Sequence, residues 1–194
     1  MTHYSWRLIL RGDPESAESS VIDYAIEHGW VGTTTPGDPE AGTINETVWM
    51  MSQDVSLHFL VDDQTDCAYV YTAANSARAC QAAEQEVMRH LDVIDRSELL
   101  ASFDHAESPS EKRQAVLRVA LGAPDELDDD TFHRVREAMR ESDSEVRKAA
   151  VYATSYSPSR RFIPILKSAF REDPSPDVRE HAATLIEAYK QMRI

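Results

Sequence analysis

Residues 144–150 are Ser-Glu-Val-Arg-Lys-Ala-Ala, and residues 176–183 vary the same pattern as Pro-Asp-Val-Arg-Glu-His-Ala-Ala. In each copy an acidic residue precedes the arginine by six positions, and small apolar residues follow the arginine. With one earlier copy, the acid–arginine pairs are Glu107 with Arg113, Glu141 with Arg147, and Asp173 with Arg179. The arginines are 34 and then 32 residues apart. This period predicts stacked helical hairpins, which usually present a binding surface and not a catalytic pocket.

The segment 97–194 is predicted to be entirely helical, because its apolar residues recur at helical spacing and no strand-like alternation is present. Proline or glycine interrupts the pattern at most of the expected helix ends. Short links between consecutive helices favour antiparallel pairs, about three in number. The helices are expected at 97–103, 110–121, 131–140, 144–155, 160–171 and 176–193.

On these residues the second half of the chain resembles HEAT-like repeats of the short bacterial type. The stretches 144–150 and 176–183 are similar to the second-helix motif, and residues 162–170 are similar to the first helix with its proline. The copy at 110–113 departs from the motif, since Lys112 stands where the other copies have valine. The resemblance implies an alpha solenoid in which an acid and an arginine link neighbouring repeats. This implied ladder consists of Glu107, Arg113, Glu141, Arg147, Asp173 and Arg179.

Residues 1–95 are predicted to form an acidic α+β domain with the element order β-α-β-β-β-α. An alternating strand pattern over 4–11 leads to a helix that Asp13 caps, and a loop follows at 32–42. Three further strands are expected near 44–51, 55–62 and 67–73, and Asn75 or Ser76 caps the last helix. An antiparallel sheet with helices packed on one face is the simplest way to bury these apolar faces. The predicted fold class is therefore an α+β domain followed by an all-α HEAT-like array over 97–194.

Charge divides the chain unevenly. The formal net charge is −14, and residues 1–98 hold 17 acidic residues against 5 basic ones. Residues 99–194 hold 17 acidic against 15 basic residues. This balance argues against nucleic acid as a partner and favours a basic protein partner. An ordinary solvated surface would produce the same composition.

Motifs for catalysis, metal binding and targeting are absent from the sequence. Cys67 and Cys80 make no disulfide framework, and no two of the seven histidines have the i, i+4 spacing of a helical metal site. Three consecutive acids, Asp128-Asp129-Asp130, lack calcium-loop spacing, and Asp130 is interpreted as a helix N-cap. We therefore predict no enzyme, no cofactor and no metal. With neither a signal peptide nor a membrane span, a cytoplasmic protein is expected.

Candidate contact residues come from two patterns. Trp30 beside a loop and Trp49 in a strand are of a type that can anchor interfaces, although core positions are the favoured interpretation of both. On the predicted second helices, pairs of residues four apart are expected to line the concave face of the array. Two hairpin acids of the acidic half complete the set. The predicted protein-binding residues are Gln114, Arg118, Lys148, Tyr152, Glu180, Thr184, Trp30, Trp49, Asp62 and Asp63.

These features favour a non-enzymatic protein-binding module. Its most concrete form is an acidic immunity or inhibitor protein that neutralises a basic partner such as a toxin. A scaffold or regulatory adaptor with several partners is the alternative of the same class. The alternative of a different class is an enzyme or maturation factor whose site at the domain junction would gather His28 or His58 with Asp62.

Overall fold

A computed structural model describes residues 1–38, 44–124 and 126–193. The chain divides into two compact units, Met1–Ile94 and Asp95–Ile194. Each unit has its own set of elements and its own buried residues.

The first unit is an α+β fold built on one antiparallel sheet, as the sequence predicts. The strand order is β1-β6-β5-β4-β3, and β2 also pairs with β6. Both helices pack on the sheet, against its central strands. The strands are β1 His3–Tyr4, β2 Leu8–Ile9, β3 Gly32–Thr35, β4 Glu46–Ser52, β5 Val55–Asp62 and β6 Cys67–Ala74, and the helices are α1 Pro14–Glu27 and α2 Ala77–His90.

Alternation along β5 decides which face of the sheet is covered. Leu57 and Phe59 are buried in the core, whereas His58 between them lies on the other face. The strand pairs along its whole length with β6, with Phe59 opposite Val70. The helices complete this core with Val21 and Tyr24 of α1 and with Val87 of α2.

Two local features of the first unit differ from the sequence prediction. The first strand is split at Trp6, because buried Ser5 accepts a hydrogen bond from the Thr72 amide at 2.8 Å and interrupts the strand. The expected loop at 32–42 begins with β3, an exposed edge strand of one glycine and three threonines that carries no apolar alternation. Gly32 is required there, since a Cβ atom would lie 2.5 Å from Nε1 of Trp49. Residues 39–43 of that loop lie outside the described residues.

The second unit is a helical array of three pairs, α3/α4, α5/α6 and α7/α8. The second helices α4, α6 and α8 pack on one another in sequence. A 3₁₀ turn at Arg160–Phe162 precedes α7, so the expected single helix at 160–171 is in two parts. The helices are α3 Arg96–Asp104, α4 Pro109–Leu121, α5 Asp129–Ala138, α6 Ser144–Ala153, α7 Ile163–Glu172 and α8 Pro176–Gln191.

Side-chain caps set most of these helix starts. Asp13 caps α1 and Ser76 caps α2, as predicted. For α5 the prediction of Asp130 is wrong, because Asp128 is the N-cap and accepts from the Thr131 amide at 2.6 Å. Asp130 lies in the first turn, where a carboxylate is also favourable.

Candidate functional site

A buried ion pair joins the second and third helix pairs. Arg147 of α6 donates from Nε and Nη2 to the two carboxylate oxygens of Asp173, at 2.8 and 3.0 Å. Its Nη1 donates to the backbone carbonyls of Glu141 and Ser142, at 2.9 and 2.8 Å. The side chains of Arg147 and Asp173 are only 10% and 6% exposed. Arg147 therefore connects the link between α5 and α6 with the link between α7 and α8.

Burial raises the pKa of the Asp173 carboxyl, but hydrogen bonds from Arg147 and from the Ser175 amide outweigh it and hold the pKa below its ordinary value. In turn, the hydrogen bond to Asp173 raises the pKa of Arg147. Both groups are consequently charged at neutral pH.

When the second helices are aligned on their N-caps, the ladder residue of the first repeat is not the one predicted. Arg147 and Arg179 each lie four residues after an N-cap, and Arg179 also donates to two preceding carbonyls, those of Asp173 and Pro174. In α4 the N-cap is Ser108, so the equivalent residue is Lys112.

Lys112 forms the first rung, with Nζ 2.9 Å from Oε1 of Glu141. The assignment of Arg113 and Glu107 to the ladder is therefore corrected. Arg113 lies one position further along α4 and is exposed, and Glu107 is exposed before the helix begins. The sequence contained a signal for this correction. Lys112 departs from the repeat pattern, and its side chain supplies the positive charge that Arg147 and Arg179 supply in the later repeats.

The same shift affects the predicted contact residues of α4. Lys148 and Tyr152 of α6 are equivalent to exposed Glu180 and Thr184 of α8 when the helices are aligned on their N-caps. Gln114 and Arg118 lie one residue beyond the matching positions of α4, a rotation of about 100° around the helix. Both are half-buried, and Nε of Arg118 is buried without a hydrogen-bond partner among the described residues. We define Lys148, Tyr152, Glu180 and Thr184 as the second-helix stripe.

A cleft of about 490 Å³ opens between α5 and α7, and the sequence did not indicate it. Apolar side chains of Met139, Ile165 and Ala169 line it, together with the Arg147–Asp173 pair. Charged residues of both signs stand among them, including exposed Arg140 and Glu172. The lining of the cleft is therefore mixed, with polar and apolar side chains side by side.

The tryptophans and the hairpin acids have different environments. Trp49 is 6% exposed and belongs to the core, so its prediction as an interface anchor is wrong: its ring covers Gly32 of the neighbouring strand. Trp30 is half-buried beside that core. Asp62 organises its turn by accepting from the Thr65 amide at 2.8 Å, and Asp63 is exposed.

A chain of polar side chains crosses the sheet face that carries His58. Ser56 Oγ lies 2.8 Å from His58 Nε2, and His58 Nδ1 lies 2.8 Å from Oε1 of Glu46. Tyr71 stacks on His58 with ring centroids 4.5 Å apart and donates its hydroxyl to the same Glu46 oxygen at 2.7 Å. The structure thus joins His58 to Glu46 and not to Asp62, which is four residues further along β5.

The electrostatics of this chain follow from Glu46. Burial raises the pKa of Glu46, but hydrogen bonds from Tyr71 and His58 outweigh it and lower the pKa below the ordinary value. Burial, followed by the hydrogen bond to Glu46, raises the pKa of Tyr71. His58 has a carboxylate at Nδ1 and the Ser56 hydroxyl at Nε2, and a histidine placed in this way can accept a proton from the serine.

Within the part of the chain that the structure describes, one group of side chains could hold a metal ion. His28, Glu86 and His90 each offer a ligand atom, and these atoms lie within 4.8 Å of one another. His28 and His90 are 62 residues apart in the sequence, on different helices, so no spacing rule for a single helix could find them.

The comparison with known proteins identifies the second half of the chain. Residues 97–187 match the sequence model of HEAT repeats. This region is thus a HEAT-like repeat array, and HEAT repeats are generally protein-interaction modules. No curated protein and no solved structure matches the chain. Among the described residues, no helix has both the length and the apolar character needed to cross a lipid bilayer.

Proposed function

We propose that this chain is a non-enzymatic protein-binding module. The observation that carries the proposal is the HEAT-like array itself, with three helix pairs whose second helices stack side by side. Such stacking makes a continuous surface from equivalent positions of successive repeats, which is how solenoid proteins contact extended partners.

The second-helix stripe is the proposed contact surface. Tyr152 is half-buried and its ring packs edge-on against Tyr156 at 5.6 Å, so it offers a large aromatic surface at small cost in conformational entropy. Lys148 lies one helical turn before it, and exposed Glu180 and Thr184 continue the stripe on α8. Aromatic residues surrounded by polar ones are typical of the centre of a protein interface.

Charge supports a basic partner. Residues 1–98 carry a net charge of −12, and the acids of α1 include exposed Glu18, Asp23 and Glu27. A surface of one sign accelerates association with a partner of the opposite sign and disfavours nucleic acid. An immunity or inhibitor protein that neutralises a basic toxin is the specific form of this proposal, and an adaptor with several partners is the general form.

Affinity capture on the full chain tests the proposal. We would identify proteins retained from the native host at low and at high salt by mass spectrometry, and then measure the affinity of each purified candidate. One stoichiometric basic protein is expected. The double substitution Lys148→Glu with Tyr152→Ala is expected to weaken its binding at least about tenfold, as removal of an interface anchor does.

A variant in the α5–α7 cleft provides the matched control. Arg140→Glu changes the charge at an exposed position of the same unit, outside the second-helix stripe. If this variant loses binding and the stripe variant does not, the contact surface lies in the cleft. If no purified protein binds, the proposal of a protein-binding module fails.

A second candidate function, hydrolysis of an ester or amide bond, is favoured by the Ser56–His58–Glu46 chain alone. Its connectivity is that of a nucleophile, a base and an orienting carboxylate. Against it, β5 pairs with strands on both edges, so its backbone amides are committed to the sheet and not to a developing oxyanion.

A fluorophosphonate probe distinguishes the two candidates. If the chain is catalytic, the probe labels the wild-type protein at Ser56 and does not label Ser56→Ala or His58→Asn. Absence of labelling in the folded wild-type protein removes this candidate and leaves the binding module.

A further inference from the structure

The C-terminal ends of α1 and α2 bring two histidines and a glutamate together in the first unit. His28 is the C-cap of α1, and His90 is the last residue of α2. One ring nitrogen of each histidine and one carboxylate oxygen of Glu86 lie within 4.8 Å of one another. His28 and His90 are exposed and Glu86 is half-buried, so a solute can reach all three.

Hydrogen bonds assign the same tautomer to both histidines. Nδ1 of His28 lies 2.9 Å from the carbonyl oxygen of Tyr24, and Nδ1 of His90 lies 2.8 Å from that of Glu86. A carbonyl oxygen only accepts, so each Nδ1 carries a proton, and in the neutral ring the lone pair lies on Nε2. A backbone carbonyl on Nδ1 is the usual second partner of a histidine that binds a metal through Nε2.

The local field favours a cation. The C-terminal end of a helix carries a partial negative charge, and here two such ends converge beside a carboxylate. Arg89 opposes this field, since its Nη2 lies 2.9 Å from Oε2 of Glu86. Arg89 contacts Oε2, whereas the other oxygen, Oε1, faces His90 and lies 3.5 Å from its Nδ1.

A buried hydroxyl beside the histidines supplies an independent observation. Tyr24 is 4% exposed, and its hydroxyl is buried without a hydrogen-bond partner among the residues that the structure describes. Its ring stacks on His90 and meets the edge of His28, with centroids 4.9 and 4.7 Å away. A buried hydroxyl of this kind is usually satisfied by a bound water or ion.

We propose that His28, Glu86 and His90 bind a divalent transition-metal ion of the zinc class. Two imidazoles and a carboxylate suit Zn²⁺ and leave its fourth position for a water molecule. Ligand distances of about 2.0–2.2 Å require the three ligand atoms to lie about 3.4 Å apart. In the structure these atoms lie within 4.8 Å of one another, so the side chains would have to move together to bind the ion. The ion would connect the ends of the two helices that cover the sheet.

Zinc titration of the full chain, without an affinity tag and after treatment with a chelator, tests the proposal. Calorimetry is expected to give one ion per chain. Loss of second-shell partners costs metal sites about 10–100-fold in affinity, so His28→Ala and His90→Ala are each expected to cost at least about 100-fold. Glu86→Gln keeps the shape of the side chain and is expected to weaken binding at least about tenfold.

His181→Ala is the matched control. His181 makes the same bond from Nδ1 to the carbonyl four residues earlier, at 3.0 Å from Asp177, but lies outside the proposed site. This variant is expected to bind zinc as the wild type does. Circular dichroism establishes that each variant is folded, and His28→Gln replaces His28→Ala if the alanine variant is not.

Nitrogen spectra of the histidine rings provide a second readout. Zinc is expected to shift Nε2 of His28 and His90 while both Nδ1 atoms stay protonated, and to leave His181 unchanged. Binding of less than one ion per chain at micromolar concentrations overturns the proposal. So does retention of wild-type affinity by the folded double variant of His28 and His90, because the ion then lies elsewhere.

Discussion

At the scale of single residues, Arg147 has the most demanding environment in the array. Its guanidinium donates four hydrogen bonds while being only 8% exposed as a residue. Burial of a charge is tolerated only when it is paired and its donors are satisfied, and Asp173 meets this condition from the next repeat. The pair is therefore structural, and we expect stability, not binding, to respond when it is removed.

Asp173→Asn is expected to lower the free energy of unfolding by about 3 kcal/mol, the lower end for breaking a buried pair, because Arg147 keeps its charge without a counterion. Urea denaturation at pH 7 measures the change. The control is Asp129→Asn, which removes the carboxylate that lies 2.6 Å from Arg161, a pair whose side chains are 78% and 40% exposed. That change is expected to cost less than about 1 kcal/mol. Equal costs for the two variants would contradict a special role for Asp173.

The depressed pKa of Asp173 also makes a prediction about acid. A carboxyl whose pKa is lowered by folding stabilises the native state above its unfolded pKa, and this contribution is lost as the pH falls through the folded value. The stability difference between wild type and Asp173→Asn is thus expected to be constant above about pH 5 and to shrink below about pH 4. Urea midpoints at pH 7, 5, 4 and 3 test this, and a difference that grows on acidification would refute it.

At the scale of elements, the sequence predicted those helices and strands whose signal is local. Asp13 and Ser76 could be predicted as N-caps because each is a short hydrogen-bond acceptor followed by a stretch of helical periodicity. The edge strand β3 could not be predicted, because Gly-Thr-Thr-Thr has no buried face and no apolar alternation. It is held by backbone pairing with β4 and by the hydroxyl contact between Thr34 and Thr47 at 3.0 Å. An edge strand of this kind is defined by pairing with its neighbour and not by an apolar pattern of its own.

The candidate sites were less predictable for the same reason. Spacing located Arg147 and Asp173, since both belong to the repeated motif. It misplaced the first rung by one residue, because the position of the N-cap at Ser108 sets the register and the acid–arginine spacing does not. The group of His28, Glu86 and His90 depends on how two helices lie across a sheet. A spacing rule applied to one helix cannot predict a group of side chains that comes from two helices.

The stacking of second helices depends on small side chains. Ala150 of α6 is fully buried where this helix packs on its neighbours, α4 and α8. Ala150→Leu is expected to destabilise the protein by about 1–3 kcal/mol through overpacking. Lys148→Leu places the same side chain on the half-exposed face of α6 and is expected to change stability by less than about 0.5 kcal/mol. Thermal or urea unfolding of both variants makes the comparison, and a tolerated leucine at Ala150 would mean that the helices are not closely packed.

At the scale of the whole molecule, the acidic balance is concentrated in the first half of the chain, whereas the HEAT-like array is nearly balanced. Long-range attraction and short-range recognition can therefore be carried by different parts of one chain. The former acts on the association rate and responds to salt, and the latter acts on the dissociation rate.

Charge reversal separates these contributions once a partner is purified. For the proposed basic partner, the triple change Glu18→Lys, Asp23→Lys and Glu27→Lys on α1 is expected to slow association about tenfold or more at low salt and to flatten its salt dependence. Reversal of exposed Glu145, Asp177 and Glu187 in the array is the control with equal charge change. Stopped-flow measurements at several salt concentrations give the rates. Equal effects of the two triple variants would show that only net charge matters.

The grip of Arg147 and Arg179 on the carbonyls six and five residues before them has a consequence for length variation. These bonds fix the number of residues between each arginine and the preceding link, because an inserted residue would move the carbonyls out of hydrogen-bond distance. In the connection at residues 154–159, the Tyr189 hydroxyl of α8 donates to the Thr154 carbonyl at 2.8 Å, so an insertion after Thr154 leaves the arginine contacts in place. Insertions and deletions are therefore expected to be tolerated between repeats and rejected inside the hairpins, so that the array can change its period without losing its rungs.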